Sequence, residues 1–190
     1  MKMIASGNVG LISVLVAVLL LVVMVIAYVI STNNKFRRMD VKIREAESGI
    51  DVSLTKRYDV LVKMLDVCKN YMAYEKSVII ESIRLRSNMS MQERTIAENK
   101  MNELYGNIRF TAEAYPQLAS ANNFAALQKA IVETENHLQA ARRLYNANVS
   151  QYNSLVVSFP SNLVAGMIGA RQKDFFEADQ MRRQDVPMNF

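Results

Sequence analysis

The 190-residue chain has no tryptophan, one cysteine and one histidine. The lone Cys68 excludes an intrachain disulfide, which fits a reducing compartment. His137 has no Cys or His at metal-ligand spacing, so the sequence points to no metal centre. Gly166-Met-Ile-Gly169 lacks the Gly-Lys-Ser/Thr core of a phosphate loop and a preceding strand. No serine stands in a nucleophile elbow. The carboxylates are dispersed on faces opposite the apolar stripes. These absences favour a non-enzyme with no cofactor. The net charge of +5 is modest, and after residue 30 the signs alternate as on solvated helix faces. A nucleic-acid-binding stripe is more one-sided. Proline is also scarce, and none precedes Pro116, so no proline stops a helix in the first half of the chain.

What is present begins with Val9 to Ile30, an uncharged apolar run in which only Ser13 and Tyr28 carry polar side-chain atoms. About 20 helical residues at roughly 1.5 Å each cross a hydrocarbon core of about 30 Å. Its Val and Ile residues disfavour helix in water. In lipid the backbone has no other partners, so helix is expected. The run is too long for a cleaved signal peptide and no small-x-small site follows. Only Lys2 precedes it, whereas Lys35, Arg37, Arg38, Lys42 and Arg44 follow it. That asymmetry predicts a single-pass protein of the cell (inner) membrane, with its N-terminus outside and its C-terminal domain cytoplasmic.

The remainder is rich in Ala, Leu, Met, Glu, Gln, Lys and Arg, which are helix formers. The expected fold class is all-α: the transmembrane helix continues into an elongated antiparallel three- to four-helix, coiled-coil-like bundle. The expected divisions are a short N-terminus (1–8), the span (9–30), a basic juxtamembrane segment (31–38), the bundle (39–170) and a tail (171–190). A first helix continues from the span, with Asn33-Asn34 as its only weak spot. Its apolar stripe is Ile43, Ala46, Ile50, Leu54, Tyr58, Leu61, Leu65, Cys68 and Met72. Cys68 on that stripe reads as a buried small hydrophobe. Gly49 costs about 1 kcal/mol against Ala unless packing requires it.

This first helix is expected to end near Ser87-Asn88. Ser90-Met-Gln-Glu93 is a capping box that opens a second helix. Its stripe is Ala97, Met101, Leu104, Ile108, Thr111 and Tyr115, and Pro116 stops it. A third helix carries Phe124, Leu127, Ile131, Thr134, Leu138, Ala141, Tyr145, Asn148, Tyr152, Leu155 and Phe159, an average period of about 3.5. Phe159-Pro160 ends it. Ser161 or Asn162 then caps a short helix from Leu163 to Ile168, closed by Gly169.

These residues resemble the LemA family. The matching stretches include Gly49-Ile50-Asp51-Val52, Lys56-Arg57-Tyr58-Asp59-Val60-Leu61-Val62, Tyr74-Glu75-Lys76 and Ala112-Glu113-Ala114-Tyr115-Pro116-Gln117-Leu118. The densest is Thr134-Glu135-Asn136-His137-Leu138-Gln139-Ala140-Ala141-Arg142-Arg143-Leu144-Tyr145-Asn146. Tyr152-Asn153, Phe159-Pro160-Ser161-Asn162-Leu163 and Phe190 complete the series. The chain departs from the family where a Trp usually precedes Ile50-Asp51, and at Val62-Lys63-Met64, where Pro-Asn-Leu is usual. The resemblance implies a bacterial inner-membrane protein with a cytoplasmic helical bundle, and supplies no reaction. Its relatives include a magnetosome-membrane protein, and some members are encoded beside a membrane metalloprotease.

The expected function is a membrane-anchored, self-associating scaffold that organises membrane or partner proteins. The rival is a regulatory adaptor binding one client, such as a membrane protease or a stress sensor. Three groups of residues carry these expectations. Lys35, Arg37, Arg38, Lys42 and Arg44 form a basic collar at the lipid surface. Glu135, Arg142, Asn146 and Asn153 share a face and are expected to bond across to Asp51, Arg57 or Asp59. Ile43, Ala46, Ile50 and Leu54 are expected to lack cover within the chain, because the second helix climbs only part of the way back and the third descends again. That row, together with the span, is therefore the expected homo-oligomer interface.

Overall fold

The computed structural model describes residues 2–68, 71, 83, 85–86, 89–119 and 121–176, with side chains from Ile12 onward. The first element, α1 (Lys2–Cys68), is a helix of 67 residues. Asn33-Asn34 does not interrupt it. The apolar run, the basic segment and the start of the body are therefore one rod. Ile12, Leu15, Leu19, Leu20 and Met24 are each at least 59% exposed. The rod's N-terminal part is long and apolar enough to cross a membrane. The helix ends at Cys68 rather than near Ser87: Tyr71, Ile83, Leu85 and Arg86 lie outside any helix, and Met72 lies outside the described residues. The Tyr71 N–H donates to the Cys68 carbonyl at 2.8 Å.

Among the described residues four further helices follow: α2 (Met91–Ala114), α3 (Pro116–Ala119), α4 (Asn122–Val157) and α5 (Ser161–Ile168). The described residues contain no strand. The capping box at the start of α2 is complete. The Glu93 N–H donates to Ser90 Oγ at 3.2 Å, and the Ser90 N–H donates to Glu93 Oε2 at 2.8 Å. The Ser90 backbone N–H, and after it the Ser90 side chain, hold the Glu93 carboxyl below its ordinary pKa. α2 ends where Pro116 forbids continuation, and the Tyr115 N–H still closes on the Thr111 carbonyl.

The α4 seam is buried at Phe124, Ile131, Thr134, Leu138, Tyr145, Asn148 and Tyr152. It stops there: Leu155 is half-buried, and Phe159, beyond the helix end, is 79% exposed. Ser161 is not a cap but the first residue of α5. Its hydroxyl donates to the Leu155 carbonyl at 2.7 Å and lies 2.9 Å from that of Ser158, satisfying acceptors left open where α4 ends. Gly169 closes α5 at φ 68°, a left-handed conformation that glycine adopts without strain.

The chain forms two compact units, Met1–Lys42 with Ser150–Lys173, and Ile43–Val149 with Asp174–Phe190. In the second unit α1 buries Ile43, Ala46, Ile50, Leu54, Leu61, Met64, Leu65 and Cys68. Arg57, 3% exposed, takes the inward position expected of Tyr58. Steps of three and four admit either residue, and a carboxylate on α4 selects the arginine. Helix directions follow from cross-contacts. Asp51 meets Arg94 and Arg57 meets Asn102, so α2 runs parallel to α1. Arg57 meets Glu135, and a Cβ on Gly49 would stand 3.9 Å from that of Ala141, so α4 runs antiparallel.

These directions overturn the expected climb of the second helix and descent of the third. They also remove the basis for the expected oligomer row. Ile43, Ala46, Ile50 and Leu54 are at most 3% exposed in the single chain, because α4 returns along α1 instead of leaving it.

In the first unit Thr32, Phe36 and Met39 are buried. The Phe36 ring meets Tyr152 edge-on, with centroids 5.5 Å apart.

Candidate functional site

Within the second unit, three arginines tie three helices together. Arg94 on α2 forks onto Asp51 on α1, with Nε 2.7 Å from Oδ1 and Nη2 2.8 Å from Oδ2. This two-point geometry holds the guanidinium charged, and the bond to Asp51 raises its pKa further. Arg142 on α4 donates from Nη1 to Glu98 Oε1 on α2 at 2.8 Å. Arg57 on α1 donates from Nη2 to Asn102 Oδ1 at 2.7 Å, and its Nη1 lies 2.8 Å from Glu135 Oε2 on α4. The last contact is ionic and off the hydrogen-bond line, since neither Arg57 Nη1 nor Nε has an aligned acceptor.

Of the polar line expected on α4, Glu135 alone reaches α1, as an ion pair. Arg142 turns to α2 instead. Asn146 takes the backbone of Phe176: its Nδ2 donates to the carbonyl at 3.0 Å, and its Oδ1 accepts the N–H at 2.8 Å. The Tyr145 hydroxyl donates to the Asp174 carbonyl at 2.9 Å. Arg142 lies 4.7 Å over the Phe176 ring, which is buried. Burial raises the Tyr145 phenol to about 12, helped by the Glu47 carboxylate and opposed by Arg94. Asp51 serves α2 rather than α4, and Asp59 is exposed.

Sequence reasoning missed Arg94, Glu98 and Asn102. Their signal was present: three polar residues at steps of four, flanking the Ala97–Met101 stripe of α2.

The first unit has its own version of the asparagine device. Asn153 Nδ2 donates to the Lys173 carbonyl at 2.9 Å, and its Oδ1 accepts the Lys173 N–H at 2.8 Å. The Lys173 ammonium pairs with Asp40 at 2.9 Å and lies 5.4 Å from the Tyr152 ring centroid. An asparagine amide presents the same donor and acceptor as a peptide group. It can therefore hold extended backbone whatever the side chain of the residue held. Among the collar residues, Lys35, Arg37, Arg38 and Lys42 in this unit, and Arg44 in the other, are all exposed.

Among the described residues no three His, Cys, Asp or Glu side chains converge on a metal position. His137 is exposed, 3.8 Å from Glu133 in the next turn. Cys68 is fully buried, and burial pushes its thiol pKa up, away from nucleophilic thiolate.

The profile of the LemA family matches residues 46–190. The chain belongs to the LemA family. It is 26% identical to the protein named LemA of Metamycoplasma hominis over 162 residues, covering 83% of this chain and 74% of that protein. It is 22% identical over 195 aligned positions to the proteins named magnetosome protein MamQ 1 and MamQ 2 of Paramagnetospirillum magneticum, covering 87% of this chain and 72% of each. The LemA match contains every residue of the three arginine links and both asparagine clamps. The apolar run and the basic collar precede it.

Proposed function

We propose that the protein is a membrane-anchored, non-catalytic scaffold that self-associates at the cell (inner) membrane, with its N-terminus outside and its body cytoplasmic. The observation that carries this reading is α1 itself. One helix carries the apolar span, the exposed basic collar and the buried row from Ile43 to Cys68. The span, the collar and the first part of the body thus share one uninterrupted helix.

The body's buried charges support the same reading. Arg57, Arg94 and Glu98 are committed to holding helices together, which suits a structural part. The names of the relatives denote no reaction. The collar adds lipid attraction, about 1 kcal/mol per basic residue near an anionic surface. Since the chain itself covers Ile43, Ala46, Ile50 and Leu54, self-association is assigned to the span, where side chains from Ile12 onward are open.

Light scattering after size exclusion of the detergent-solubilised protein tests the proposal. A defined oligomer is expected. A monomer at all concentrations overturns self-association and favours an adaptor for a single membrane-protein client.

A further inference from the structure

We propose that the segment from Val157 through α5 is a second membrane contact, an interfacial element whose outward apolar side enters the lipid headgroup boundary beside the span. The residues from Leu155 to Ala170 include no Asp, Glu, Lys or Arg. α5 turns Ser161, Val164 and Ala165 inward, each at most 7% exposed. Its other side is apolar too: Leu163 is 60%, Met167 74% and Ile168 43% exposed, and Val157 and Phe159 just before it are 58% and 79%. A helix that is apolar on both sides calls for an apolar medium on each.

Position decides which medium covers the outer side. Tyr152 rests on Phe36, six residues past the end of the span, which is about 9 Å along a helix. α4 runs antiparallel to α1, so each residue beyond Tyr152 advances about 1.5 Å toward Ile30. Val157 is thus roughly level with the end of the span, and Phe159 and α5 follow it directly in the chain, with Ser161 bonded back to the carbonyls of Leu155 and Ser158. Lys35, Arg37 and Arg38, beside Phe36 on α1, are exposed, as is Arg171 just after α5. Apolar side chains bordered by basic ones are the chemistry of an element lying in an anionic lipid surface. The span already brings that surface to the site, so lipid covers the patch.

The test uses the full chain in vesicles of phosphatidylethanolamine and phosphatidylglycerol. An environment-sensitive fluorophore is attached at Met167→Cys or Leu163→Cys, with Phe110→Cys, an exposed α2 position, as the aqueous control. Cys68 stays in place because it is buried. Brominated lipids are expected to quench the labels at 163 and 167 several-fold more than the label at 110, and iodide several-fold less. Adding Leu163→Asp to the Met167→Cys chain should reverse that pattern while the thermal midpoint is retained. Iodide access equal to that at 110, without lipid quenching, overturns the proposal. So does shielding at 163 and 167 that disappears when the chain is diluted in lipid, since a second copy would then be the cover.

Discussion

Arg57 Nη1 stands 2.8 Å from Glu135 Oε2, and the arginine is the more deeply buried partner, with its side chain 4% exposed against 29%. Removing either partner leaves the other behind, and the two residues left behind differ. Glu135→Ala strands a buried guanidinium with Asn102 as its remaining partner and should cost about 3–5 kcal/mol. Arg57→Ala leaves a carboxylate that water partly reaches and should cost less, roughly 1–3 kcal/mol. Denaturant unfolding of both variants checks the order. Equal costs, or the reverse order, would refute the asymmetry.

Gly49 and Gly106 lie inside helices without a packing reason. A Cβ at Gly49 would meet Ala141 at ordinary van der Waals distance, and one at Gly106 would meet nothing within 4 Å. Gly49→Ala and Gly106→Ala should each stabilise the body by roughly 0.5–1 kcal/mol. A lower thermal midpoint for Gly49→Ala would show that α1 and α4 tolerate no methyl group there.

Tyr145 makes stability depend on alkaline pH. Burial raises its folded pKa to about 12 from the ordinary 10. In that interval the unfolded chain loses the phenolic proton while the folded chain keeps it. The folded state binds more protons, so stability is full below pH 10 and falls as pH rises toward 12, by at most about 1.4 kcal/mol per unit. Tyr145→Phe removes this contribution. Between pH 10 and 12 its stability should fall less steeply than that of the parent chain. Parallel slopes would contradict the assignment.

The Asn146 amide holds the Phe176 backbone from both sides. Asn146→Asp keeps an acceptor for the Phe176 N–H but turns a second acceptor toward its carbonyl. The expected cost is about 1–3 kcal/mol, with faster hydrogen exchange at the Phe176 amide. Unchanged exchange would mean that Phe176 is held by its buried ring alone.

Cys68 should not react with thiol reagents in the folded protein on either side of a membrane, because it is fully buried. Membrane topology therefore needs an exposed reporter such as Val52→Cys, at a position 51% exposed. On intact cells an impermeant reagent should leave Val52→Cys unlabelled and label it after lysis. Labelling before lysis would invert the proposed topology, whose basis is the basic excess after Ile30.

By itself the sequence determined what depends on neighbours within a turn or two. The uncharged run from Val9 to Ile30, the Ser90–Glu93 capping box, the seam from Phe124 to Tyr152 and the Gly169 stop are local patterns set by backbone geometry and side-chain chemistry. The tertiary structure alone decided what each polar residue meets. Arg57, Arg94 and Arg142 find partners 43 to 45 residues away on another helix, and those pairings exist only once α2 lies parallel and α4 antiparallel to α1. No Gly or Pro lies between Cys68 and Ser90, and periodicity assigned the helices but not their directions. The asparagine clamps were invisible for a related reason. They bind backbone, and a segment outside regular structure such as Lys173 to Phe176 carries no periodic side-chain signal to reveal where it docks.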